Sequence, residues 1–89
     1  MVAKHIIFTG RVQGVGFRFT ALRIAQLHQL KGYVHNSPDG SVEMLVQGYT
    51  EDVDGCIADI KDSFAGYLRE VKIEKVAPNP KYTDFKITF

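Results

Sequence analysis

The sequence predicts an α+β sandwich built from one mainly antiparallel sheet of four to five strands with two helices on one of its faces. Three observations predict it. Apolar residues alternate with period two in several short segments, recur with helical spacing in two longer ones, and these segments follow one another in the order βαββαβ(β). No internal repeat, linker or low-complexity stretch interrupts that order, and 89 residues suffice for one core but not for two, so residues 1–89 read as a single domain.

The first strand spans Lys4 to Arg11, where Ile6 and Phe8 share one face and His5, Ile7 and Thr9 the other. The segment Gly10-Arg11-Val12-Gln13-Gly14-Val15-Gly16 follows, with three glycines in seven residues, and reads as a loop that needs unusual dihedrals or close backbone approach. From Phe17 to His28 the spacing turns helical, with Phe17, Ala21, Ile24, Ala25 and His28 on one stripe. Gly32 to Asn36 is a short strand, Ser37-Pro38-Asp39-Gly40 is a turn, and Val42, Met44 and Val46 alternate after it, which makes a hairpin. The second helix carries Val53, Cys56, Ile57, Ile60 and Phe64 at helical spacing, behind Thr50 as cap candidate and acidic Glu51, Asp52 and Asp54 that suit the helix dipole; Gly55 is the one weak point inside it. Val71 and Ile73, then Phe85, Ile87 and Phe89, alternate on either side of Pro78-Asn79-Pro80 and supply the last two strands. This is the ferredoxin-like, split βαβ plan. Its right-handed crossover brings the C-terminal ends of the first two strands to one edge, so the glycine loop and Asn36 become neighbours.

Composition narrows the function. Hydrophobic residues at 45% and charged residues at 24% are ordinary globular values, which excludes disordered and collagen-like classes. Eleven Lys and Arg against ten Asp and Glu leave a net charge of +1, so no global field attracts nucleic acid or an anionic membrane. Apolar runs such as Ile6-Ile7-Phe8 are far too short to cross a bilayer, and Met1 to His5 lacks a secretory apolar region, so a cytoplasmic location is expected. Cys56 is the sole cysteine, which rules out an internal disulfide and a cysteine pair for zinc. His5, His28 and His35 lack metal-ligand spacing, and no metal site is expected; Cys56 on a buried stripe reads as a small hydrophobe, and Asp52, Asp54, Asp59 and Asp62 as a solvated helix face.

An anionic ligand then needs a local site, and Arg18 marks a candidate. It lies in the first turn of a helix, where the free N–H groups already form a positive pole and a cation is unfavourable by ~0.3–1 kcal/mol. A bound phosphate reverses that sign, because loop amides, helix terminus and guanidinium fork all meet its oxygens. The position alone leaves open the ordinary alternative, a surface Arg turned to solvent. Asn36 lies one strand removed from the first strand, across a gap of roughly 9–10 Å that holds a phosphate and one water. It too has an ordinary alternative, as the residue that starts a hairpin turn.

The two segments together carry a resemblance. Gly10-Arg11-Val12-Gln13-Gly14-Val15-Gly16-Phe17-Arg18 resembles the first signature of the acylphosphatase family, and Gly32-Tyr33-Val34-His35-Asn36-Ser37-Pro38-Asp39-Gly40-Ser41-Val42-Glu43, continuing to Gly48, resembles the second. The resemblance covers essentially the whole chain. It implies a hydrolase that splits the carboxyl-phosphate bond of a small-molecule acyl phosphate without metal or cofactor, as a monomer with no nucleic-acid or membrane partner. It implies that Val12, Gln13, Gly14, Val15, Gly16, Phe17 and Arg18 bind the phosphoryl group, and that Arg18 and Asn36 are the catalytic pair, Asn36 orienting the water. The leaving carboxylate is a weak base, so no strong general acid is required. The alternative is a non-catalytic anion-binding or interaction module on the same fold.

Three positions depart from the family pattern. His28 and Gln29 stand where Leu and Gly are expected at the end of the first helix, which puts a left-handed C-cap in question at a cost of about 1–2 kcal/mol for a non-glycine residue. His35 stands where Lys or Arg is common. Two lookalikes fail: Gly14-Val15-Gly16 begins a dinucleotide fingerprint whose third glycine position is Phe19, and the echo of an RNA-recognition motif precedes a helix instead of lying on a central strand.

Overall fold

A computed structural model describes residues 1–89. The elements are β1 (Val2–Gly10), α1 (Phe17–Leu27), β2 (Lys31–Asn36), β3 (Val42–Gly48), α2 (Thr50–Ser63), β4 (Leu68–Val76) and β5 (Phe85–Ile87). They form one five-stranded sheet in the order β4-β1-β3-β2-β5, antiparallel except for the parallel β2–β5 pair. The expected α+β, ferredoxin-like fold is the observed one.

Alternation decides which sheet face is covered. Ile6, Phe8, Val34, Val42, Met44, Val46 and Phe85 point to one side and pack against Phe17, Ala21, Ala25, Val53, Cys56, Ile57, Ile60 and Phe64 of the two helices in a single buried cluster. Phe17 joins the layers, its ring centroid 4.9 Å from Phe8 and 4.5 Å from Phe64. The other face stays open and carries His5, Tyr33, His35 and Glu43. β1 ends at Gly10 and not at Arg11, because a register shift between Thr9 and Gly10 turns the chain out of the sheet. Gly10 has φ 123°, and any Cβ there would strike the Tyr67 carbonyl, so only glycine fits.

The helix ends differ from expectation in instructive ways. The residue preceding α2 at the cap position is Tyr49, with no side-chain cap bond; Thr50 is already helical, so it is not the cap. At the end of α1, Gln29 takes φ 57°, and the N–H groups of Leu30 and Gln29 donate to the carbonyls of Ala25 and Gln26 at 3.0 Å each. That is a Schellman cap with glutamine where glycine is favoured, held because Leu30 beyond it is buried in the core. His28 leaves the apolar stripe: its Nε2 meets Asp59 Oδ2 at 2.8 Å. Its ring edge rests against Gly55, where an added Cβ would sit 2.9 Å from Cε1. The glycine inside α2 thus makes room for an imidazole on α1. Phe89 lies beyond β5, fully exposed, and does not continue the buried alternation of Phe85 and Ile87.

Candidate functional site

The loop after β1 is fastened at three points. The Arg11 N–H donates to the Tyr67 carbonyl at 2.8 Å, and Val12 plugs into the core. Gln13 reaches across to the β2–β3 turn, where its Nε2 donates to the carbonyl oxygens of Ser37 at 2.8 Å and Ser41 at 2.9 Å. Ser41 is itself held by Asp39, whose Oδ1 accepts from the Ser41 N–H at 3.0 Å and hydroxyl at 2.6 Å; those two bonds hold the Asp39 carboxyl below its ordinary pKa. The loop and the turn are therefore tied to each other.

Around and after those fastenings the backbone leaves its donors free. Gly14 and Gly16 both have φ 77°, the left-handed region that glycine enters without strain. The N–H groups of Val12, Gln13, Gly14, Val15 and Gly16 make no hydrogen bond within the chain. α1 then starts directly at Phe17, with Gly16 as cap residue, no side-chain cap bond and no acidic residue in its first turn. Successive free amides in left-handed and turn conformations, continued by an uncapped helix terminus, form a concavity suited to an anion.

Arg18 stands in that first turn and forms no ion pair with any carboxylate of the chain. Its Cζ lies over the Phe89 ring, 5.1 Å from the centroid. Asn36 ends β2, paired with Val42 of β3, and β3 separates it from β1. Its Oδ1 is the one buried side-chain nitrogen or oxygen in the molecule without a hydrogen-bond partner. A buried, unpaired amide oxygen costs roughly 1–3 kcal/mol and calls for a donor.

Val12, Gly14, Gly16, Phe17, Arg18 and Asn36 line one cavity of about 190 Å³. Of the residues predicted for the site, the structure thus brings these six together. Gln13 and Val15 do not line it: the Gln13 side chain serves as the strut to the turn, and Val15 faces outward, 37% exposed. Two residues escaped the sequence reading. Phe19 lines the cavity although it is 68% exposed, and Phe89 covers the guanidinium. Phe19 sits one residue beyond Arg18, so its helical position is a usable signal; Phe89 reaches the site only through the β2–β5 pairing.

A larger groove of about 400 Å³ lies at the β2–β5 edge, lined among others by Tyr33, His35, Tyr82 and Lys86. It contains neither the free amides nor Asn36 and is a separate feature. On the open sheet face beside it, His35 Nε2 meets Glu43 Oε1 at 2.6 Å, its Nδ1 lies 3.1 Å from the Thr88 hydroxyl, and His5 Nε2 meets Glu43 Oε2 at 2.5 Å. Burial and then the Glu43 charge push the Tyr33 phenol above its usual pKa. His35 is therefore tied into the sheet on the side away from the loop.

Comparison with known proteins agrees with this geometry. The family model described as Acylphosphatase matches residues 4–87. An acylphosphatase of Lactobacillus gasseri is 41% identical over 83 residues, 91% of each chain, and one of Bordetella parapertussis is 37% identical over 86 residues, 96% of this chain and 92% of that one. The crystal structure of acylphosphatase from Bacillus subtilis superposes with a TM-score of 0.92 over 100% of both chains at 30% identity.

Proposed function

The chain belongs to the acylphosphatase family, and on that premise we propose that it hydrolyses the carboxyl-phosphate bond of acyl phosphates to a carboxylate and inorganic phosphate. The observation that carries the proposal is the one cavity that Asn36 shares with Arg18 and the loop glycines, beside the free loop amides. The phosphoryl dianion rests on the amides of residues 12 to 17 and on the edge of the Arg18 guanidinium, which together oppose its charge. A water hydrogen-bonded to the Asn36 side-chain amide is held with its oxygen lone pair directed at phosphorus.

The water oxygen bonds to phosphorus as the bond from phosphorus to the carboxyl oxygen breaks. The carboxylate departs with that electron pair, and both water protons remain on the phosphate, so a dianion and water become two monoanions. No side chain has to donate a proton to so weak a base. What the protein supplies is position and fixed positive charge, which a loose phosphoryl transfer rewards. An anion holder without turnover has no use for a water-orienting amide such as Asn36 in its cavity, which argues against that alternative. The same reading takes residues 1–89 as one domain working as a monomer in the cytoplasm, without metal or cofactor; no helix is long and apolar enough to cross a membrane.

The test is release of acid from benzoyl phosphate by the purified chain in excess chelator. Hydrolysis that persists with chelator and falls steeply in Arg18→Ala supports the proposal. Activity lost on chelation, or full activity in Arg18→Ala, contradicts it.

A further inference from the structure

The groove of about 400 Å³ at the β2–β5 edge is larger than the loop cavity and takes no part in the proposed hydrolysis. It exists because the chain leaves β4 at one edge of the sheet and must cross to β5 at the other. The crossing runs over the open face, where Gln47 fastens it: Gln47 Nε2 donates to the Asn79 carbonyl at 2.8 Å, and Gln47 Oε1 accepts from the Asn79 N–H at 3.0 Å. At its far end the Asp84 carbonyl accepts from the Gly32 N–H at 2.9 Å. Residues 81–84, held on either side by these bonds, form one wall of the groove, and β2 with β5 forms the other.

The lining combines three kinds of group. Tyr33 and His35 stack with centroids 5.6 Å apart and 16° between their planes, and Tyr82 of the crossing segment meets Tyr33 at 5.9 Å, which gives a concave site aromatic surface for a flat ring. Lys86, set beside Tyr33 by the parallel register, and Lys81 across the groove pair with no carboxylate of the chain. Glu43 on the same sheet face is already held by His5 and His35, so both lysines remain for an anion. Asp84 adds an acceptor for hydroxyl donors. A flat ring, hydroxyl donors and one anionic group describe a single ligand class. We propose that this groove is a second ligand site, one that binds a nucleoside monophosphate with its base on the tyrosines, its phosphate at Lys81 and Lys86 and its sugar hydroxyls toward Asp84. The volume falls within the roughly 300–1,000 Å³ of small-molecule sites. No residue of the groove lines the loop cavity, so the site stands apart from the hydrolase reading.

The experiment titrates the isotope-labelled chain with adenosine monophosphate and follows the backbone amide chemical shifts, which report both affinity and place. Adenosine and ribose 5-phosphate are titrated beside it, and the variants are Tyr82→Ala, Lys86→Gln and Lys72→Gln, the last on β4 of the same sheet face but outside the groove. The amides of Tyr33, Tyr82 and Lys86 shift with the nucleotide. Tyr82→Ala raises Kd by about 10-fold through lost stacking. Lys86→Gln raises it by about 2–5-fold, and Lys72→Gln leaves it unchanged. Adenosine, which lacks the anion, and ribose 5-phosphate, which lacks the ring, both bind more weakly than the nucleotide. Shifts confined to residues 12–18 would place the nucleotide on the phosphate loop and overturn the groove site. No shift at all, ribose 5-phosphate or adenosine binding as tightly as the nucleotide, or an unchanged Kd in Lys86→Gln overturns it as well. Because Lys86 is exposed, its variant tests the site even where Tyr82→Ala disturbs the fold.

Discussion

The guanidinium of Arg18 lies over the ring of Phe89, 5.1 Å from its centroid, with no carboxylate paired to it. The contact restrains a long, flexible side chain beside the cavity that it lines. An exposed cation–π contact is worth ~0.5–1 kcal/mol, so Phe89→Ala is expected to weaken inhibition by inorganic phosphate by about 2–5-fold. Inhibition constants for phosphate in the two proteins check this, and Phe89→Tyr, which keeps the ring face, restores the wild-type value.

Gln13 couples the phosphate loop to the β2–β3 turn through two carbonyl oxygens. Gln13→Ala removes both bonds and is expected to cost about 1 kcal/mol of stability. Its larger effect falls on kcat/KM, because the loop amides and the turn that follows Asn36 lose their common anchor. Urea unfolding and steady-state kinetics on the same preparation separate the two effects.

Gln29 holds a left-handed φ of 57° inside a Schellman cap. The strain of a side chain there is about 1–2 kcal/mol, partly offset by the entropy that glycine loses on folding, so Gln29→Gly is expected to stabilise the protein by about 1 kcal/mol. The urea midpoint should rise at unchanged m-value. Its activity should match the wild type, since the cap lies at the end of α1 away from the loop.

Burial, reinforced by the Asp59 charge, pushes the Cys56 thiol up to about 12. The folded protein then holds this proton at pH values where the unfolded chain, with an ordinary thiol pKa near ~8.5, has released it. Stability from this group is full below the unfolded pKa and is lost as pH rises from there toward the folded one. Two outcomes are expected: iodoacetamide at pH 8 labels Cys56 only after unfolding, and Cys56→Ala reduces the loss of stability between pH 9 and the folded pKa.

The strand order, the two helices and the meeting of the loop with Asn36 are legible in the sequence because each rests on local periodicity plus a topological rule. Ile6 and Phe8, or Val53, Cys56 and Ile60, announce their faces by spacing alone. The unusual dihedrals of the loop follow from where the glycines fall. What was not legible depends on contacts between distant segments. Nothing local tells that Gln13 bonds the turn, that Gly55 accommodates His28, or that Phe89 leaves the strand pattern to cover Arg18. Thr50 misled for a related reason: the residue type suits a cap, but the chain enters α2 one residue earlier, at Tyr49.

The division of labour at the site is tested most directly by Asn36→Ala, assayed for both turnover of benzoyl phosphate and inhibition by inorganic phosphate. With the guanidinium and loop amides intact, phosphate inhibition should stay near the wild-type value while kcat falls by about 100-fold or more. A variant that keeps wild-type kcat, or one that loses phosphate binding together with turnover, contradicts the assignment of Asn36 to the water and of the loop and Arg18 to the phosphate.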